Sequence, residues 1–166
     1  AFKRAIIGEP TEMKPCLGHY GYIEVELSLA GARRHASLSS RENNATYSML
    51  KVLLNSISYL DSFRNKVRFN IRDLHSSDAG FAVPERCSAW LDIHVHPDIQ
   101  IKKIVSNIKK KARESLEGMG IKKKALSLTA EIHRGYKLSE KWRGFDKISK
   151  SLQNNGLSWQ PGLFES

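Results

Sequence analysis

Apolar and polar residues alternate along four segments of the chain with the period of two that is typical of half-buried strands. The first segment begins at Tyr22 and ends at Gly31, and the others cover residues 66–72, 87–96 and 125–134. Each segment has a single apolar side, so we expect one antiparallel sheet with a buried face and an open face. The side chains expected on the buried face are Ile23, Val25, Leu27, Leu29, Val67, Phe69, Ile71, Ala89, Leu91, Ile93, Val95, Leu126, Leu128, Ala130 and Ile132.

Three other segments carry apolar residues at helical spacing. The first follows Asn43 or Asn44, and either side chain can cap a helix by accepting hydrogen bonds from the free amides of its first turn. Its apolar positions are Tyr47, Leu50, Leu53, Leu54, Ile57 and Leu60. The second helix is expected from about residue 99 to 119, where the glycines at 118 and 120 end it, and the third from about residue 139 to 154.

The order of the first six elements is strand, helix, strand, strand, helix, strand. This order predicts an α+β fold of the ferredoxin-like βαββαβ type, with a four-stranded antiparallel sheet and two helices on one face. The third helix is not needed for this fold. We therefore expect residues 16–136 to form the domain, and residues 1–15 and 137–166 to be pieces of a neighbouring domain in a longer protein.

Composition narrows the class of protein. The net charge is +10, and many of the basic residues lie between 101 and 124, where the solvated face of a helix is favoured over a nucleic-acid surface. Cys16 and Cys87 are too few and too far apart for a disulfide framework or a zinc site, which fits a reducing cytoplasm. No apolar run approaches the roughly 20 residues that span a membrane.

Three short segments carry candidate chemistry. In GEPT, Glu9 follows an apolar segment and is placed to bind a cation or act as a base, or else it is a turn residue. In DIHVH, His94 and His96 could share a metal, although only Asp92 is near to complete the site, which favours hydrogen-bonded sheet histidines. In GARRHAS, His35 follows the first strand, where the alternative to a functional role is a turn histidine held by Asn or Ser.

Taken together and in order, these motifs resemble the family of co-catalytic zinc aminoacylases and exopeptidases, which includes acetylornithine deacetylase, succinyl-diaminopimelate desuccinylase and glutamate-releasing carboxypeptidases. The matching residues are Gly8-Glu9-Pro10-Thr11, Gly31-Ala32-Arg33-Arg34-His35-Ala36-Ser37, Asn44-Ala45, Phe81-Ala82-Val83-Pro84 and Asp92-Ile93-His94. Members of that family insert a ferredoxin-like lid, which also mediates dimerisation, into a two-zinc catalytic domain.

The resemblance implies that this chain is such a lid, within a homodimeric hydrolase that cleaves the amide bond of an N-acyl amino acid or small peptide. It implies that Glu9 is a zinc ligand and that His35 donates a hydrogen bond to the oxyanion in the partner subunit's active site. It also places Asn44 and His94 in substrate binding. Cobalt or manganese could replace zinc in the two-metal enzyme.

Two residues depart from the family pattern. Phe81 stands where the family has asparagine, and His94 stands where it has an arginine that can hold a carboxylate. An imidazole lacks the bidentate fork of a guanidinium, so the substrate can differ even if the reaction does not. Because the remaining metal ligands and the general base lie elsewhere in the family's catalytic domain, we expect the isolated chain to bind no metal and to be inactive.

The alternative is a stand-alone module that binds RNA or serves regulation or dimerisation. RNA-recognition motifs share this fold, but here Glu24 and Glu26 lie on the open face and no segment matches the family's aromatic signature, so we expect no nucleic-acid partner. If the chain dimerises, we expect the first helix, with Tyr47 and Met49, to join the interface.

Overall fold

The computed structural model describes residue 11 and residues 15–139, 143–157 and 162–164. The strands and helices in these ranges are β1 (Cys16–His19), β2 (Gly21–Ala30), α1 (Ala45–Asp61), β3 (Val67–Ser76), β4 (Arg86–Val95), α2 (Ile101–Glu117), β5 (Leu126–His133), β6 (Tyr136–Lys137), α3 (Arg143–Asn154) and β7 (Gly162–Phe164).

The main sheet has the strand order β3-β4-β2-β5, and every neighbouring pair is antiparallel. Helices α1 and α2 pack against each other and against the same face of this sheet. The predicted ferredoxin-like α+β fold is therefore confirmed. Its physical basis is the single apolar face of each strand, which two amphipathic helices cover.

The predicted inward residues of the two central strands are completely buried. The core contains Ile23, Val25, Leu27 and Leu29 from β2, Ala89, Leu91, Ile93 and Val95 from β4, and Ile104, Val105, Ile108, Ala112 and Leu116 from α2. On the outer strands the prediction is wrong for two residues, because Ile71 is 38% exposed and Ile132 is 36% exposed. Both residues lie on edge strands, and the pairing of β3 with β4 shifts register just after Ile71.

The buried side of α1 differs from the predicted stripe. Leu50 is 45% exposed and Leu54 is 61% exposed, whereas Met49 and Val52 are completely buried. The hydroxyl of Ser56 is buried as well, and it donates a 2.8 Å hydrogen bond to the Val52 carbonyl. Because Met49 lies in the core, the prediction that it joins a dimer interface is wrong.

A second, three-stranded sheet with the order β6-β1-β7 was not predicted. Strand β1 pairs antiparallel with β6 and parallel with β7, so it joins segments from both sides of the predicted boundary at residues 136–137. These strands have two to four residues each, which is too short for a periodic signal. Helix α3 begins at Arg143, whereas the predicted start was at about residue 139, which is not helical, and residues 140–142 lie outside the described residues.

Candidate functional site

Two long loops, residues 31–44 and 77–85, meet at one end of the main sheet, and we call this region the tip. The loops are joined by main-chain hydrogen bonds, including one of 2.7 Å from the amide of Val83 to the carbonyl of Arg34. The side chain of Val83 is 2% exposed and anchors the second loop in the protein. The tip is therefore held in place by main-chain hydrogen bonds and a buried side chain, and it contains one short 3-10 helix, Ala36–Leu38.

His35 lies in the first loop of the tip. Its backbone forms an isolated antiparallel bridge with Ala82, and the next amide, of Ala36, donates a 2.8 Å hydrogen bond to the carbonyl of Phe81. The residue itself is exposed. Its Nδ1 atom lies 2.8 Å from Oγ of Ser37 and 3.3 Å from the amide nitrogen of the same residue. A fixed backbone thus presents the other edge of the imidazole to solvent.

Two large apolar side chains are exposed at the tip. Phe81 is 88% exposed and Leu38 is 62% exposed. Gly80, with φ of 57°, makes the turn that precedes Phe81. Exposed apolar groups around a candidate catalytic histidine indicate a surface that contacts another molecule or domain.

The two asparagines before α1 have different roles. The Asn44 side chain is the N-cap, since its Oδ1 accepts a 2.9 Å hydrogen bond from the amide of Tyr47. The Asn43 side chain instead closes the loop, accepting from the amide of Ser40 at 2.9 Å and donating to the carbonyl of Leu38 at 3.1 Å. The cap occupies the Asn44 oxygen and leaves its amide nitrogen as the group that could bind substrate.

His94 lies at the opposite end of the sheet from His35. It pairs with Tyr22 at the start of β2, whereas the loop that holds His35 leaves the far end of that strand at Ala30, opposite Arg86. Eight residues of extended strand separate Arg86 from His94, which is roughly 25 Å. One subunit therefore does not bring His35 and His94 together.

The surroundings of His94 on the open face are tightly linked. The hydroxyl of Tyr22 donates a 2.8 Å hydrogen bond to Asp92, and the Tyr22 ring lies 5.4 Å from the His94 ring. Arg72 reaches across to Glu24 at 2.6 Å and to Asp92 at 3.2 Å. Burial and the hydrogen bond to Asp92 raise the pKa of Tyr22 to about 12. The sequence analysis missed this cluster, although the alternation of β2, β3 and β4 places all these residues on one face.

The described residues do not form a metal centre. Glu9 lies outside the described residues, so its predicted role as a ligand remains a prediction. The rings of His94 and His96 pack on different tyrosines, Tyr22 and Tyr20, rather than on a shared ion. Within residues 15–139, 143–157 and 162–164, no three His, Cys, Asp or Glu side chains are grouped as metal ligands would be. In the same ranges no helix is long and apolar enough to cross a bilayer.

Comparison with known proteins identifies the class of protein to which this chain belongs. The family profile described as "Peptidase dimerisation domain" matches residues 17–119, and the chain belongs to this family. The match lies within the predicted domain of residues 16–136, whose boundaries remain a prediction. It favours a dimerising lid over an RNA-binding or stand-alone module.

Similar proteins are larger enzymes. Over 90 residues the chain is 36% identical to an acetylornithine deacetylase from Erwinia tasmaniensis, an alignment that covers 54% of this chain and 21% of the relative. Over 110 residues it is 26% identical to an acetylornithine deacetylase from Edwardsiella ictaluri, covering 58% of this chain and 28% of that one. The chain thus spans less than a third of the length of these two relatives.

Solved structures agree on the fold. A tripeptidase from Staphylococcus aureus superposes with a TM-score of 0.72 at 18% identity, covering 92% of this chain and 39% of the other. A hydantoinase/carbamoylase family amidase from Burkholderia vietnamiensis superposes with a TM-score of 0.73 at 12% identity, covering 91% and 36%. The superposed regions include nearly the whole chain, including segments outside the matched dimerisation domain.

Proposed function

We propose that this chain is the lid and dimerisation part of a metal-dependent amidohydrolase that cleaves the amide bond of an N-acyl amino acid or small peptide. The observation that carries the proposal is an exposed histidine held by its backbone at the tip of a peptidase dimerisation domain. The acetylornithine deacetylases among its relatives support deacylation as the reaction class.

In this proposal His35 donates a hydrogen bond to the oxygen of the scissile carbonyl as negative charge develops there. A preorganised donor stabilises that charge more than it stabilises the neutral substrate, and so lowers the barrier. A bound metal ion would add polarisation of the same carbonyl. Its ligands, Glu9 among them by resemblance, belong to the part of the enzyme outside the described residues. Zinc, with cobalt or manganese as substitutes, is proposed from the resemblance alone.

The two ends of the sheet suggest how a dimer would build each active site. His35 and His94 are too far apart to serve one substrate from the same lid. A two-fold dimer can supply His35 from one subunit and His94 from the other to each active site. The exposed Phe81 beside His35 then favours a substrate that carries an apolar group. The imidazole of His94 cannot hold a carboxylate as an arginine would, so it favours a substrate without a carboxylate that must be tightly bound at this position.

The proposed homodimer interface is the α1–β3 flank, defined by Leu50 and Leu54 on α1 and Ile71 on β3. All three side chains are more than a third exposed, and β3 is an edge strand among the described strands, so it presents the backbone groups of its outer side. Pairing of two β3 edges would satisfy those groups and cover the apolar side chains at the same time.

The interface is tested by the double variant Leu50→Glu/Leu54→Glu. Four charges introduced at a two-fold interface should convert the dimer to a monomer in sedimentation equilibrium. Leu157→Glu is the matched control, because Leu157 is 44% exposed but lies outside the matched domain. A wild-type chain that is monomeric at high concentration would contradict the proposed dimer.

The catalytic role is tested by mixing two inactive forms of the intact enzyme, His35→Ala and Glu9→Gln. If His35 acts in the partner's active site, a mixed dimer has one complete site, and random reassociation should restore about a quarter of wild-type activity. If His35 acts within its own subunit, no mixed dimer has a complete site and the mixture stays inactive. Full activity of His35→Ala alone would refute the proposed role.

The remaining parts of the proposal concern the cellular compartment and the partners of the protein. The sequence has two cysteines, Cys16 and Cys87, too few and too far apart for a disulfide framework, and we propose a cytoplasmic enzyme. The open face carries Glu24 and Glu26, which would repel phosphate, and Arg72 is engaged by carboxylates there. We therefore propose a small-molecule substrate and no nucleic-acid or membrane partner.

A further inference from the structure

The imidazole of His35 has two hydrogen-bonding contacts, and both come from Ser37. The serine hydroxyl lies 2.8 Å from Nδ1, and the serine amide nitrogen lies 3.3 Å from the same atom with hydrogen-bond geometry. The short 3-10 turn Ala36–Leu38 places this amide within hydrogen-bonding distance of Nδ1, with His35 as the N-cap of the turn. One nitrogen of the ring is thus held by its nearest neighbour in the motif.

The direction of these hydrogen bonds follows from the amide. A main-chain N–H can only donate, so Nδ1 must present its lone pair to it. The hydroxyl can rotate and also donate to that lone pair. In a neutral imidazole with an unprotonated Nδ1, the single N–H is at Nε2, on the opposite edge of the ring.

We propose that Ser37 is a positioning residue that fixes His35 in the Nε2–H tautomer. The purpose that we assign to this tautomer rests on the proposed function, because the only N–H of the ring then points away from the loop, where an oxyanion can accept a hydrogen bond from it. The tautomer itself does not depend on catalysis, because it is a property of the folded chain. The bridge from His35 to Ala82 keeps the backbone in place for this contact.

The tautomer can be measured by long-range 1H–15N correlation spectroscopy of the chain labelled at histidine nitrogen, at a mildly alkaline pH. His35 should show an N–H at Nε2 and a lone pair at Nδ1. His19 is an internal reference of opposite type, since its Nδ1 lies 2.6 Å from the carbonyl oxygen of Tyr20 and must donate to it.

Ser37→Pro removes the amide N–H, which is the one of these two contacts that can only donate to Nδ1, so the ratio of Nε2–H to Nδ1–H forms at His35 should fall about fivefold, the value of one ordinary hydrogen bond. Ser37→Ala keeps the amide and loses a hydroxyl that can either donate to Nδ1 or accept from it, so it should change the ratio little. Ser39→Ala is the matched control in the same turn, and it should leave His35 unchanged. Because Ser37 is exposed, these variants should keep the amide spectrum of the folded chain.

An Nδ1–H form at His35 in the wild-type chain, or a ratio that Ser37→Pro does not change, would overturn the proposal. In the intact enzyme Ser37→Pro should lower kcat severalfold with little change in KM, and Ser37→Ala should keep most of kcat. If the tautomer is as expected but His35→Ala has wild-type turnover, the positioning by Ser37 stands and the proposed function fails.

Discussion

The two ends of the main sheet hold their polar residues in different ways. At the tip, main-chain hydrogen bonds fix the loops, while the side chains of His35 and Phe81 remain exposed. At the other end, Tyr22, Asp92 and Arg72 hydrogen-bond through their side chains within one subunit. Side chains that are already paired contribute to stability and order, whereas side chains presented by a fixed backbone are available to another molecule. The comparison therefore indicates that the tip, rather than the opposite end of the sheet, is built for contact with another molecule.

The largest effect should come from His35→Ala in the intact enzyme. Loss of an oxyanion donor typically lowers turnover by about a hundredfold to a thousandfold. Because the residue is exposed and its ring hydrogen-bonds to Ser37 alone among the described residues, the melting temperature should hardly change. Steady-state kinetics and thermal unfolding of the same preparation would show both results. The control is His75→Ala, an exposed histidine on β3, and equal losses of turnover in the two variants would argue against a special role for the tip.

A smaller effect is expected for Gly31→Ala, which changes the backbone rather than a functional side chain. A Cβ at this position would lie 2.3 Å from the carbonyl oxygen of Asn43 and 3.0 Å from the amide of Ala45, so the loop that carries His35 must move. We expect a loss of about 1–3 kcal/mol in the free energy of unfolding, in the range of overpacked sites, together with reduced turnover.

Gly118→Ala is the matched control for that loop variant. The nearest atom to its new Cβ would be 3.5 Å away, and the backbone there is helical, with φ of −63°. Denaturant unfolding of both variants measures the difference. Similar stabilities would show that the loop can move away from a Cβ at position 31 at little cost in free energy. The tip would then be more deformable than its hydrogen bonds suggest.

Asn44→Ala should cost about 1 kcal/mol of unfolding free energy, because it removes the N-cap of α1. Asn44→Ser keeps an oxygen that can cap the helix and should recover most of this loss. If the amide nitrogen also binds substrate, both variants should raise KM in the intact enzyme, including the one whose stability is restored. Wild-type KM in both would leave Asn44 with the structural role alone.

The smallest effect concerns the paired end of the sheet and appears only at high pH. The folded protein raises the pKa of Tyr22 from 10.0 to about 12, so the folded state binds the proton more tightly than the unfolded state. The resulting stabilisation is fully present below pH 10.0 and is lost as the pH rises to about 12. Tyr22→Phe has no such proton, and its unfolding free energy should decline less across this window.

Tyr136→Phe serves as the control for that comparison, because Tyr136 is 50% exposed and lies outside the main sheet. It should follow the wild-type pH dependence in denaturant unfolding. If Tyr22→Phe also followed the wild type, the Tyr22–Asp92 hydrogen bond would contribute nothing measurable to stability.

The periodic pattern predicted burial most reliably where the apolar face of a strand is covered along its whole length. The alternation in β2 and β4 predicted eight buried side chains correctly, since these central strands are covered along their length by both helices. It was wrong for Ile71 and Ile132 on the edge strands and for Leu50 and Leu54 of α1, which are all at least 36% exposed. A pattern records that a side chain avoids water, but it does not distinguish the core from an interface.

The order of motifs by itself determined the fold class and the family, because alternation, helical spacing and the GARRHAS segment are local in the chain. Only the tertiary structure decided how distant segments meet. It joined the loop of His35 to Ala82 and the strand β1 to β6 and β7. The tertiary structure also placed His35 and His94 at opposite ends of the sheet, although both belong to the motifs that resemble the family. The physical reason is that backbone pairing over long sequence separations depends on packing, and no local pattern of residues encodes it.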